Sequence, residues 1–600
     1  MKRLFLLVCL PLLLFTISAD AAVRTFDLSS YGILPSTSAL DMSSRLRAAL
    51  TDIRSKVSPS DTVIVNFKKG KYAFHSADAE PAELYISNHD QGQPKRVGII
   101  LEGWHNLTFD GKGSELLFYG RMLPIALVGS DNCTLKDFSI DFPQPQIAQV
   151  EILENRGEGG MVFKPAPWVG WRKSTKGYFE NYGEGWALTP SSGIAFEAKT
   201  RHIVYNTGDL AINTKGFSDL GDGRLLAPNW IDKRLTAGNV VAMRSWERPA
   251  PGMFLDHCNN TAIQKATVHF AEGMGLLAQR CDGITLNKFG VRLRGKKDPR
   301  YFTTQADATH FSQCKGLIRS EDGLYEGMMD DAINVHGIYL KVTKRIDSHT
   351  LQCSYMHEQS WGFAWGDKGD TVSFVRSATM DTLGGFNVIK SIEPVGGNVV
   401  TAAKSFVISF EKPLPRTIGS KEGYGIENLS WTPSVIFSGN TVRNNRARGA
   451  LFSSPRTTVC EDNVFDHTSG TAILLCGDCN GWYESGAVRS LVIRRNEFIN
   501  SLTNMFQFTN AVISIYPEVP SLDKQRGYFH GAGKGSILIE DNLFKTFDAP
   551  LLYAKSVRGL TFRNNRVERN SEYAPFHWNK EQILLERCVD TDVEKAKEVK

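Results

Sequence analysis

Beyond residue 21 the chain has no hydrophobic run approaching the roughly 20 residues that cross a bilayer as a helix, so no helical membrane span is expected there. It also lacks a block of one charge. Its 69 Lys and Arg are mixed along the chain with 64 Asp and Glu for a net +5. Without a basic stripe, nucleic-acid binding is excluded and a neutral partner is favoured over a polyanion. The cysteines offer no zinc framework, because Cys476-Gly-Asp-Cys479 is the only CxxC. One of the ten cysteines, Cys9, lies in the N-terminal apolar run, leaving an odd number that cannot all pair within one chain. The leucine spacing of a horseshoe is missing, as is the doubled period of propeller blades.

What is present begins with Met1-Lys2-Arg3, the apolar stretch Leu4 to Ile17 and the small-residue end Ala19-Asp20-Ala21. These are the parts of a secretory signal peptide over residues 1–21, and they predict an exported, periplasmic or secreted protein with no stable membrane insertion. About 580 residues remain, more than one compact core usually holds, so several domains or a repeat architecture is expected.

A recurring phrase decides between them. A β-branched or apolar strand runs into an asparagine with another apolar residue two places on, at Asn440, Asn463, Asn496, Asn542 and Asn565. Asn440 to Asn463 and Asn542 to Asn565 are both steps of 23, while Asn463 to Asn496 is 33, one coil carrying a ten-residue loop. A fixed period of this length, with short strands, reads as a solenoid whose coils bury their faces only against one another. Asparagine suits the corners because it tolerates the left-handed conformation and its side chain can bond the backbone at a turn. Fainter versions at Asn106, Asn132, Asn260 and Asp282 extend the pattern upstream.

The fold expected is therefore all-β, a right-handed parallel β-helix of about 23 residues per coil. Two stretches, 148–250 and 338–430, break the period with Trp, Gly and alternating strands, and each is read as an inserted barrel-like β domain that helps wall a cleft. The helix then comprises an N-terminal part over 22–147, coils over 251–337 that carry the chemistry, and C-terminal coils over 431–600.

Between the insertions lie Gln305-Ala-Asp307-Ala-Thr-His310 and Met329-Asp330-Asp331-Ala-Ile-Asn334-Val-His336-Gly337. Asp307 precedes Asp330 by 23 residues and Asp331 by 24, so the two motifs stack as neighbouring coils. Three carboxylates this close raise one another's pKa, and no Lys or Arg lies in the immediate motif. That conflict is what acid/base catalysis uses, one carboxyl staying protonated while others activate water. Asp330 and Asp331 point to opposite faces of a strand unless a turn redirects one of them, which Gly327 and Gly337 permit. Calcium ligation by the same oxygens is the competing reading. Coil spacing is compatible with inversion or retention.

Around this trio, His310, Glu326, Asn334 and His336 are candidate sugar-binding residues, and Trp361, with Trp365 close by in the second insertion, offers a ring to stack on a sugar. Cofactors and metals are not expected.

The order QAD, MDD and VHG is similar to the three-aspartate layout of the inverting β-helix polygalacturonases, with their NTD, DD and GHG signatures, but lacks the arginine-lysine pair that grips a uronate. Taken whole, the mature chain resembles glycoside hydrolase family 110, the exo-acting α-1,3-galactosidases of gut Bacteroides. The resemblance implies cleavage of terminal α-1,3-linked galactose, in the branched blood group B antigen and also in linear glycans, with Asp330 as general acid and Asp307 with Asp331 activating water. A polygalacturonase-like hydrolase and a non-catalytic glycan-binding β-helix remain the alternatives.

Overall fold

A computed structural model describes residues 21–397, 400–419 and 423–599. All of the leader except Ala21 lies outside these described residues.

Each turn of chain lays down three short strands, as in Ser434–Ser438, Thr441–Arg443 and Ala450–Ser453. The next turn repeats them as Thr457–Glu461, Val464–Asp466 and Ile473–Leu475. Ile436 pairs with Val459, Val442 with Phe465 and Ala450 with Ile473, all in parallel and all 23 residues apart. The strands of the first sheet alternate buried and partly exposed positions, with Val435, Phe437, Cys460, Ile493, Ile539 and Phe562 turned inward. Phe465, Phe498 and Phe544 stack on the second, with ring centroids 5.2 and 4.9 Å apart. Burying each such ring contributes about 1.5–3 kcal/mol. The third sheet differs. Thr309–Ser312, Ile333–Ile338, Ala450–Ser453 and Ile473–Leu475 are buried at every position, the sign of a parallel sheet covered on both faces.

The corner asparagines hold the coils differently from the sequence expectation. Among the downstream set, the left-handed residue is the one before each asparagine: Gly439, Asp462, Arg495, Asp541 and Asn564, with φ between 52° and 66°. The asparagine itself points inward and links coil to coil. Asn463 Oδ1 accepts from the backbone N–H of Asn440 at 2.9 Å, and Asn463 Nδ2 donates to the Phe437 carbonyl at 2.9 Å. The ladder continues through Asn496, Asn542 and Asn565 at 3.0 Å per step. Upstream, Asn106, Asn132 and Asn260 do take the left-handed conformation themselves.

A helix that the repeat pattern does not foretell, Met42–Ser55, packs Met42, Leu46, Ala49, Leu50 and Ile53 against the first coils. The first insertion is a seven-stranded antiparallel sheet with a three-stranded sheet beside it, not closed by strand pairing, around Phe163, Phe179 and Trp230. The second is a closed six-stranded barrel running from Leu340–Arg345 to Tyr424–Asn428. The nine described cysteines are free thiols; Cys258, Cys281 and Cys314 occupy successive coils, and Cys476 and Cys479 are buried separately.

Replacing Asn463 by Ala should cost about 1–3 kcal/mol, because buried donors on the neighbouring coil lose their acceptor. Asp462→Gly, at the adjoining left-handed position, should change stability by less than about 1 kcal/mol. Denaturant midpoints of the two variants make the comparison.

Candidate active site

The third sheet sets the geometry. His310 pairs with Asn334 and Thr309 with Ile333, a register of 24 that brings Asp307 alongside Asp331. Both aspartates lie in the turn just ahead of their strand, where Ala308 donates its backbone N–H to the Asp331 carbonyl at 2.7 Å. Gly327, at φ 68°, opens the turn that carries Asp330 and Asp331, and a Cβ there would press on the Tyr301 carbonyl at 3.1 Å. Freed from the alternation of a strand, Asp330 and Asp331 turn to one side. Oxygens of Asp307, Asp330 and Asp331 come within 4.8 Å of one another at the foot of a cavity of about 340 Å³.

The register continues through the second insertion. Ile333 pairs with Ala450, a step of 117, which puts Arg448 on the coil position of Asp307 and Asp331. Its Nε and Nη2 lie 2.9 Å from the two Asp331 oxygens. Asp330 is ringed by Arg446 at 3.3 Å, Arg248 at 3.5 Å and Arg448 at 3.7 Å. Arg446 is anchored in turn by Asp209 of the first insertion, at 2.8 and 2.7 Å. The expectation that no base neutralises the aspartates is thus corrected. The arginines come from residues far along the chain, and those on the next coil were hidden by the barrel inserted between coils. Three guanidiniums facing the trio also oppose a calcium ion there.

Hydrogen bonds tie Asp307 to two histidines. His336 Nδ1 donates to the Gly337 carbonyl at 2.8 Å, and its Nε2 lies 2.8 Å from His310 Nε2. With His336 neutral, His310 Nδ1 accepts a hydrogen from Asp307 Oδ2 at 2.7 Å; with His336 protonated, the chain reverses and His310 Nδ1 donates to an ionised Asp307. A cationic His310 is disfavoured because burial and His336 hold it well below the usual histidine range. Burial, followed by the Asp330 charge, pushes Asp307 up to about 8. Burial also drives Asp331 upward against the Arg448 clasp, while the arginines overcome burial and hold Asp330 below the usual carboxylate range. The surroundings therefore favour ionisation at Asp330 over Asp307 and Asp331.

Of the predicted sugar ligands, His310 and Asn334 line the cavity, and Asn334 Oδ1 is buried with no hydrogen-bond partner among the described residues. His336 lies behind His310 as a positioning group. Two candidates are corrected. Glu326 is turned away into a clamp, with Arg443 at 2.7 Å and the backbone of Leu293 at 3.2 Å. Trp361, in the loop between the strands Thr350–Ser354 and Thr371–Arg376, packs against Tyr85 and under Lys404 in the barrel core. Trp482, stacked on His357 at 4.1 Å, and Trp246, half exposed over Arg244, supply aromatic rings at the cavity instead. Asp478 and Glu484 also face it, and no motif pattern marked any of these four.

A β-helix that gathers three carboxyl groups in one cavity has the groups that acid/base hydrolysis of a glycosidic bond requires. Comparison with known proteins makes the family specific. GLAA-B beta-barrel domain I matches residues 148–241 and GLAA-B beta-barrel domain II matches residues 350–422. Over the whole length, the chain is 58% identical to alpha-1,3-galactosidase B of Bacteroides fragilis, covering 98% of this chain and 100% of that one. It is 57% identical to the enzyme of the same name from Phocaeicola vulgatus, covering 96% and 97%. For the one from Parabacteroides distasonis the identity is 55%, covering 96% and 94%. The chain belongs to the alpha-1,3-galactosidase B family.

Because the folded-state pKa of Asp307 lies above the roughly 3.9 of an unfolded aspartate, its stabilising protonated form is fully present below that value. That contribution is lost as pH rises through about 8. Asp307→Asn keeps an N–H donor toward His310 and removes the titration. The variant should therefore gain melting temperature over the wild type at pH 8.5 and gain much less at pH 5; an equal gap at both would contradict the protonated assignment.

Proposed function

We propose that the protein is an exported, exo-acting hydrolase that removes terminal non-reducing α-1,3-linked galactose from glycans, both the branched blood group B structure and linear Galα1-3Gal, with inversion. The observation that carries this reading is the trio of Asp307, Asp330 and Asp331 in one cavity, in a chain 58% identical over its length to a relative named for that activity. A polygalacturonase-like reading loses ground because the cavity arginines are already engaged by Asp209, Asp330 and Asp331 and are not free to grip a uronate.

Hydrolysis needs a proton for the departing glycosidic oxygen and a base for the attacking water. The family resemblance gives the proton to Asp330 and the water to Asp307 with Asp331. The arginine ring favours a second assignment. Ionised Asp330 would take the proton from water, and Asp307, protonated and held by His310, would protonate the leaving oxygen. In either case oxygens of the three carboxylates lie within 4.8 Å of one another, closer than the roughly 6.5–9.5 Å usual between an inverting pair, so inversion rests on the three-aspartate likeness rather than on separation.

Wild type should release galactose from Galα1-3Gal and from the fucosylated B trisaccharide, and Asp330→Asn should lose about 10²–10⁴-fold in kcat on both. Cleavage of neither sugar, or normal turnover by the variant, would sink the proposal. A dinitrophenyl α-galactoside, whose leaving group needs no proton, separates the roles. If Asp307 is the acid, Asp307→Asn stays active on it while Asp330→Asn does not; the reverse pattern restores the resemblance-based assignment. With Asp307 as acid, kcat/KM should also fall as pH rises through about 8.

A further inference from the structure

We propose that a strip of aromatic side chains leading out of the cavity along the third sheet binds the sugars that follow the terminal galactose, so that the enzyme is built for extended glycans. The inference rests on the galactosidase reading above and names the part of the substrate that reading leaves unplaced.

The strip begins at the catalytic carboxylates. Arg446, beside Asp330, lies 4.7 Å from the Phe506 ring, and both Phe506 and Phe508 line the cavity. Phe508 sits at φ 63°, in the left-handed region that a bulky residue rarely enters and that marks a conformation enforced by its surroundings. From Phe508 the rings continue to the half-buried Tyr516 at 5.5 Å and then, through the buried Tyr553 at 5.8 Å, to the exposed Trp578 at 6.5 Å.

Coil register explains the direction. Asn334 in the cavity pairs with Leu451, then Leu474, Ser514 and Tyr553, all on the outward face of the sheet. The strip ends on Trp578, 54% exposed, an indole that packing alone does not account for. Lys555 Nζ covers one face of the Tyr516 ring, 3.6 Å from its centroid, and leaves the other side of the ring to a ligand.

The half-buried Phe508 and Tyr516 and the exposed Trp578 offer ring surface that suits the apolar faces of sugars, with the neighbouring polar groups left for hydroxyls. The occupant follows from continuity with the cavity. The galactose to be removed fills the cavity, and the remainder of the glycan must leave it across a neighbouring surface. No block of charge on the strip calls for an acidic or lipid partner.

The test compares Galα1-3Gal with a pentasaccharide that ends in the same unit, Galα1-3Galβ1-4GlcNAcβ1-3Galβ1-4Glc. Wild type should favour the longer substrate in kcat/KM. Trp578→Ala and Tyr516→Ala should each lower kcat/KM on the pentasaccharide by about fivefold to tenfold while leaving the disaccharide unchanged. Equal effects on both substrates, or no preference in the wild type, would overturn the proposal. A readout without turnover is NMR titration with the tetrasaccharide left after galactose is removed. Binding by wild type that weakens in Trp578→Ala supports the strip even if no galactose is released. Absence of binding by wild type counts against it even if the disaccharide is cleaved.

Discussion

Parallel strands stacked in register leave no freedom about which side chains become neighbours. Once Thr309 faces Ile333 and Ile333 faces Ala450, Asp307, Asp331 and Arg448 must share one column. The remainder of the site follows from that column. The turn at Gly327 swings Asp330 in beside it, His310 and His336 lie side by side on the strands that follow, and the same sheet carried toward the C-terminus presents Leu451, Leu474 and Tyr553. A one-residue slip would turn each of these groups to the other face of the sheet. The inward asparagine ladder from Asn440 to Asn565 opposes such a slip, since every step joins one coil's side chain to the next coil's backbone.

The column concentrates charge at the cavity. Three carboxyls held this close disfavour one another's ionisation, and the surroundings treat them unevenly. Arg248, at the end of the first insertion, and Arg446, from the coil beyond the second, favour the ionised form of Asp330, while burial raises Asp307 beside His310. The carboxyls are thereby set apart in acidity, at the expense of stability in alkaline conditions. The insertions contribute Asp209, Trp246 and Gln359 to the surroundings of the site, so they are part of its chemistry as well as its walls.

Much of this was legible in the sequence, because a period survives wherever coils follow one another without interruption. The 23-residue spacing of the asparagines and the 24-residue offset of Asp307 and Asp331 lead directly to the fold and to the clustering of the three aspartates. Legibility failed where the chain leaves the coil. Arg448 stacks on Asp331 at a distance of 117 residues because a barrel intervenes, and counting the insertion out of the period would have revealed it. Arg248, Trp246 and Trp482 reach the cavity from irregular segments that carry no period. Glu326 was misplaced for a different reason: proximity to the motif along the chain does not say which of three sheets a residue faces. The helix Met42–Ser55 does carry a helical spacing of apolar residues, and a search for coils alone passes over it.

The most direct test of the central claim is the anomer of galactose first released from Galα1-3Gal by wild type, followed by proton NMR before mutarotation sets in. The account predicts β-galactose, the product of water attacking opposite the departing sugar under a protonated carboxyl. First appearance of α-galactose would contradict it and would mean that the closely spaced carboxylates act as a nucleophile and acid/base pair through a covalent intermediate.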